Sequence, residues 1–144
     1  MLSKKQAKLF FLGGTVLFAL IFIGLSVDSL MNGIPKNTNE DQITQGVKDG
    51  KYLWERNNCM GCHTLMGEGA YYAPELTRVY SRRGPDYIKA VFNFPGGWAP
   101  NGRHMVEYNF TDEEKQHLVD FFEWTDKMYL NGFPVEPEFK DRTK

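Results

Sequence analysis

The sequence predicts an all-α protein: a single N-terminal transmembrane helix followed by one small helical domain. Three observations carry this prediction. An uncharged apolar run from Leu9 to Val27 nearly spans a ~30 Å hydrocarbon layer at ~1.5 Å per residue. Beyond it, apolar residues recur at helical spacing, most clearly behind Thr111 and Glu114, which stand in the spacing of a capping box. No pair of alternating runs reads as a strand pair. The 144 residues leave room for one domain plus an appendage and exclude a large catalytic core. A net charge of -1 excludes a nucleic-acid partner, because a phosphate-tracking surface needs a strong excess of Lys and Arg.

Lys4, Lys5 and Lys8 precede the apolar run and Asp28 follows it. The positive-inside rule therefore leaves residues 1–8 in the cytoplasm, makes 9–27 the anchor and sends the remainder outward. A cleaved secretory signal is the competing reading, since Gly24 to Ser26 forms a small-x-small triplet, but the length of the run favours an uncleaved anchor. Residues 28–42 are expected to be a linker, because MNGIPKNTNEDQ holds Pro35 and little that could pack.

The outer domain is expected over 43–130. Its first helix carries Ile43, Val47, Leu53 and Trp54 up to Asn58, and Gly46 and Gly50 on the intervening turns predict close approach of another backbone. A second helix is expected from Pro85 to Phe92, with Tyr87, Ile88, Val91 and Phe92 on one side and PGGWAPNG stopping it. The last helix should start behind Thr111, with Asp112 and Glu113 at its positive end. It should bury Leu118, Phe121, Phe122, Thr125 and Met128 and run to about Leu130. Residues 131–144 read as a surface tail or a strap across a partner.

The chemistry lies in CMGCH at residues 59–63. A C-x-x-C-H run sets two thiols, Cys59 and Cys62, to add across the haem vinyl groups while the adjacent His63 imidazole reaches the iron. A thioredoxin-like pair would need βαβ patterning, and zinc would need two more ligands, for which His104 and His117 are spaced too far apart. Outward orientation agrees, because covalent haem attachment in bacteria occurs beyond the inner membrane. The sixth ligand must come from the other haem face, which rules out Met60 and disfavours Met66, since the chain must travel round the ring edge. Met105, Met128, His104 and His117 remain. Met105 is favoured because WAPNGRHMVEYNF is irregular and free to project into a pocket, whereas a five-coordinate or bis-His iron is the alternative.

These residues resemble class I cytochromes c. Gly50 and Trp54 match the glycine and aromatic of the first helix, Cys59, Cys62 and His63 match the haem site, and Pro74-Glu75-Leu76 matches the Pro-x-Leu loop. The resemblance implies that the Pro74 carbonyl fixes the His63 tautomer. More closely, WERNNCMGCHTLMGEGAYYAPELTRVYSRRG resembles the cytochrome c subunits of bacterial nitric oxide reductases, and GRHMVEYNFTDEE matches their distal-ligand segment. Retention of both cysteines resembles the cytochrome c-dependent type and not the fused, quinol-using one. The family resemblance implies a non-catalytic electron-transfer subunit of the bacterial inner membrane with one covalent haem c on the periplasmic side. Its electrons would come from a soluble periplasmic cytochrome c or cupredoxin and pass to a large membrane subunit holding haem b, haem b3 and a non-haem iron. It further implies a calcium at the subunit boundary, shared with the large subunit and held by backbone carbonyls of Gly69 and Tyr71.

Charge is uneven. Arg78 to Arg103 contains five basic residues and one acidic, and His104 to Lys144 contains ten acidic and five basic. Some of Arg78, Arg82, Arg83 and Arg103 are therefore expected to neutralise haem propionates or meet the large subunit, with the acidic surface steering a basic donor. A free-standing anchored shuttle, the small subunit of a related oxygen-reducing complex and a haem gas sensor stay open at this level.

Overall fold

Ser3 caps the first helix, accepting the Gln6 N–H while the Gln6 side chain accepts the Ser3 N–H. This helix, α1 (Lys4–Asp28), buries none of its side chains; Leu9, Phe10, Phe11, Phe18 and Phe22 all stand exposed, an apolar surface on every side of the helix. The computed structural model describes residues 3–133, and the chain divides into two compact units, residues 1–40 and 41–144. Among the described residues one helix is long and apolar enough to cross a membrane.

The stretch 28–42, expected as a linker, is helical as far as Thr38. A π turn over Ser29–Gly33, in which the Ile34 N–H reaches the Ser29 carbonyl, leads directly into α2 (Ile34–Thr38). Pro35 sits in the first turn of α2, where a missing N–H costs little, and the wider preceding turn gives its ring room. Asn39, at φ 49°, ends the helix in the left-handed region that Asn tolerates.

In the second unit Thr44 caps α3 (Gln45–Arg56), accepting the Val47 N–H at 3.3 Å. The helix buries Val47, Gly50, Leu53 and Trp54. CMGCH then turns tightly, with the Cys62 and His63 amides both donating to the Cys59 carbonyl. A short hairpin follows, β1 (Thr64–Leu65) against β2 (Glu68–Gly69), joined by Met66 and Gly67, both at positive φ. The sequence predicted no strand pair, because two-residue strands are too short to show alternation. Next come α4 (Val79–Arg83), five residues long and also unpredicted, and α5 (Pro85–Ala90), which tightens into a 3₁₀ turn over Val91–Asn93 where one helix to Phe92 was expected.

The last helix, α6 (Asp112–Asp126), begins with the expected capping box: the Glu114 N–H donates to Thr111 Oγ1 and the Thr111 N–H to Glu114 Oε2. It buries Leu118, Val119, Phe121, Phe122 and Thr125 against α3. It stops short of Leu130, yet Met128 is buried all the same. The Arg78 guanidinium reaches past the helix end and donates to the carbonyls of Asp126 and Met128, satisfying acceptors that a helix terminus leaves free. α3 and α6 meet at Gly50, where a Cβ would fall on the His117 carbonyl and 2.8 Å from Phe121 Cβ. Of the tail expected over 131–144, only 131–133 lie within the described residues.

Candidate functional site

Cys59, Cys62, His63, Pro74 and Met105 line one cavity of about 640 Å³, a volume typical of cofactor pockets. Its walls are largely apolar: Trp54, Ile88, Phe92, Leu118 and Phe122 close it from the core side. The sequence elements reach it by different routes. α3 delivers the CMGCH turn, and Asn58, at φ 50°, reverses the chain just before Cys59.

Backbone bonds clasp the turn from behind. Ala70 donates to the Met60 carbonyl at 2.9 Å, Ala73 to Cys62 at 2.8 Å and Leu76 to Thr64 at 2.9 Å. Gly69, at φ 116°, makes the clasp possible, because a Cβ there would fall on the His63 carbonyl and 3.1 Å from that of Met60. The same clasp brings Pro74 to His63, whose Nδ1 lies 2.8 Å from the Pro74 carbonyl. A carbonyl only accepts, so Nδ1 carries the proton and Nε2 is the nitrogen with a free lone pair. Burial holds the His63 imidazole below its ordinary range, against the opposing pull of the Pro74 bond, and so favours the neutral, metal-ligating form. Burial likewise pushes the Cys59 thiol up to about 11, against a backbone hydrogen bond that lowers it, so Cys59 puts no thiolate charge against the apolar wall at neutral pH.

Of the four candidates for the sixth ligand, only Met105 and His104 line the cavity. His117, on α6, packs beside Gly46 of α3, and Met128 is buried beyond the end of α6. The His104 ring is engaged elsewhere, since its Nε2 donates to the Gly96 carbonyl at 2.6 Å. Met105 is held by its backbone, its N–H donating to the Trp98 carbonyl at 2.7 Å, while its thioether carries no such engagement.

The arginines divide. Arg78 caps α6 and Arg82 donates to the Glu75 carbonyl, whereas Arg83 and Arg103 line the cavity, stacked over Tyr87 at 5.2 Å and Tyr72 at 6.0 Å. Two lining residues were not singled out in the sequence: Tyr72 and Tyr108 reach the cavity from irregular segments that carry no periodic signal. Gly69 and Tyr71 lie at the surface, Tyr71 at 82% exposure. Among the described residues no cluster of three or more His, Cys, Asp or Glu could hold a metal ion.

The residues fit a haem. Two thiols and a neutral imidazole stand on one turn, a thioether shares their cavity, and the buried Trp54 indole N–H has no partner among the described residues. That orphan donor is a polar group left for something the cavity holds.

Two helices crossed at a glycine, with a haem-attachment turn at the end of the first, form the architecture of a class I cytochrome c domain, and residues 47–126 match the sequence model of the cytochrome c family. Over nearly the whole chain the likeness is narrower. It is 38% identical over 141 residues to the nitric oxide reductase subunit designated C in Stutzerimonas stutzeri, covering 94% of this chain and 96% of the relative. It is 40% identical over 147 residues to the protein of the same name in Halomonas halodenitrificans, with the same coverage. With that of Paracoccus denitrificans it shares 41% over 141 residues, covering 92% of this chain and 94% of the relative. The chain belongs to this nitric oxide reductase family of small subunits, as a haem electron-transfer subunit.

Proposed function

We propose that this chain is the membrane-anchored, monohaem electron-input subunit of a nitric oxide reductase, taking electrons from a soluble periplasmic donor and passing them to a large subunit that reduces NO to N2O. Cys59 and Cys62 would hold one haem c covalently, His63 and Met105 would be the two protein ligands to its iron, and Pro74 fixes the His63 tautomer. The observation that carries the reading is the shared cavity, in which His63 keeps Nε2 free while the competing His104 ring is tied to Gly96. When bound, haem c supplies reversible one-electron chemistry.

The chain's own residues do the rest. Trp54, Ile88, Phe92, Leu118 and Phe122 exclude water, which lowers the cost of reorganisation during electron transfer. Arg83 and Arg103 neutralise the haem carboxylates, with Arg78 and Arg82 already engaged by backbone carbonyls. The large subunit holds haem b, haem b3 and the non-haem iron, and the donor is a small cytochrome c or a cupredoxin drawn by the acidic C-terminal third. The backbone carbonyls of Gly69 and Tyr71, both residues lying at the surface, would hold a calcium at the boundary with the large subunit. Lys4, Lys5 and Lys8, in the opening turns of α1 ahead of its apolar run, support an inner-membrane anchor with the second unit in the periplasm.

The test is purification of the complex from native membranes. The intact complex should convert NO to N2O with a reduced small cytochrome as donor, and the separated chain should accept the electrons and leave NO unchanged. A complex that consumes O2 and leaves NO untouched overturns the reading.

A further inference from the structure

Met105 lies on a segment that burial does little to hold. Met105 itself is only half-buried, and its neighbours Val106 and Phe94 are exposed at 54% and 43%. The geometry of the segment is set instead by polar bonds that converge on Gly96. The Gly96 N–H donates to Glu107 Oε2 at 3.0 Å, and the Gly96 carbonyl accepts from His104 Nε2 at 2.6 Å. The two side chains flank Met105, one residue before it and two after, so both polar atoms of Gly96 are gripped from either side of the ligand position.

The grip is close. Gly97, at φ 92°, packs so tightly that a Cβ there would fall on the Met105 carbonyl, 3.0 Å from His104 Nε2 and 3.1 Å from the Glu107 amide. The Met105 N–H to Trp98 bond closes the same loop, and the Tyr72 hydroxyl accepts the His104 N–H at 3.1 Å, joining the loop to the segment that follows the CMGCH turn.

We propose that Glu107 and His104 are positioning residues for Met105: by clamping Gly96 they keep the thioether on the iron and limit how often it leaves. The proposal rests on the reading of Met105 as sixth ligand. A neutral thioether is a weak ligand, so its residence depends on how little freedom its backbone has when unbound, and pre-organisation supplies that restriction. One of the clamp bonds is accepted by a carboxylate, the stronger kind, although Glu107 is solvent-exposed, which weakens it.

The test uses the full-length, haem-loaded chain in detergent. Exogenous imidazole binds ferric iron only when Met105 has left, so its binding rate reports that departure. Glu107→Ala and His104→Ala should each keep the low-spin spectrum, bind imidazole about tenfold faster, equivalent to about 1.4 kcal/mol, and show a weakened iron–thioether charge-transfer band. Glu107→Gln, which keeps an acceptor, and His104→Gln, which keeps a donor, should return towards the parent rate. Alanine variants that match the parent in both rate and band, while Met105→Ala still abolishes the low-spin spectrum, overturn the clamp and leave the ligand reading standing. A low-spin spectrum that survives Met105→Ala and is lost in His104→Ala overturns the ligand reading and the clamp with it. Should His104→Ala fail to accumulate, Glu107→Ala and its glutamine rescue decide alone.

Discussion

Gly46 and Gly50 lie one turn apart on α3 and both face α6, yet the same substitution should act on them in opposite directions. At Gly50 an added methyl meets the His117 carbonyl and carbonyl carbon, and comes within 2.8 Å of Phe121 Cβ. None of these can rotate away, so the helices must separate along the face that holds Trp54, Leu118, Phe121 and Phe122. Overpacking of this kind costs about 3 kcal/mol, the upper end of its usual range. Ala gains about 1 kcal/mol over Gly in a helix interior, leaving a net loss of about 2 kcal/mol. For a domain of this size that lowers Tm by roughly 8–16 °C. At Gly46 the methyl meets the Asp120 carboxylate, the end of a movable side chain, with His117 Cδ2 already at an ordinary 3.5 Å. Asp120 can turn aside, giving up at most its exposed bond from Gln116 Nε2, so Gly46→Ala should be neutral or stabilising by up to about 1 kcal/mol. Thermal unfolding of the two haem-loaded variants, followed by circular dichroism beside the parent, measures both. A Gly50→Ala protein melting within 2 °C of the parent, on an error of about that size, or a Gly46→Ala protein as damaged as Gly50→Ala, would refute the crossing argument.

Three further outcomes are expected. Gly69→Ala should reduce haem incorporation, measured as the haem-to-protein ratio, because its Cβ would displace the His63 carbonyl and residue 69 sits at φ 116°; an unchanged ratio would show that the hairpin does not set the attachment turn. Thr77 is fully buried and its Oγ1 accepts the Met66 N–H at 2.6 Å. Thr77→Val, close in shape, should therefore cost about 1–3 kcal/mol in chemical denaturation by orphaning that amide, and a midpoint equal to the parent's would contradict it. Protease added outside spheroplasts should digest the chain beyond residue 28, whereas a soluble mature protein beginning near Val27 would identify the apolar run as a cleaved signal.

What could be read from the sequence was what local rules control. Thr111 and Glu114 announce a helix start by their spacing alone, and Gly46 and Gly50 on an otherwise amphipathic helix announce a close neighbour, without saying that one glycine touches backbone and the other a side chain. CMGCH marks the attachment turn because its chemistry is contiguous. Favouring Met105 over His104 is different in kind: the sequence offers only the irregularity of its segment, and the His104 bond to Gly96 that supports the preference is made by a loop fold that no periodicity encodes. Short elements escaped for the related reason that two-residue strands and the five-residue α4 offer too few positions for a period to appear. At Pro35 a sound local rule met an exception. Proline usually ends a helix, but here the turn before it is wide enough to let the helix continue.

That wide turn amounts to a one-residue insertion carried inside a continuous helix. An α-helix advances about 100° per residue, so a residue absorbed without an extra turn shifts the phase of everything after it, and residues 34–38 present a face rotated by roughly that angle from the one an unbroken α1 would show. The insertion and the proline are therefore tied together. Removing one residue between Ser29 and Gly33 would restore the helical phase but bring the Pro35 ring against the carbonyl four residues earlier, a clash worth ~3 kcal/mol. Replacing Pro35 at the same time would relieve it. The length of this segment and the identity of residue 35 are thus a matched pair, each tolerable because of the other.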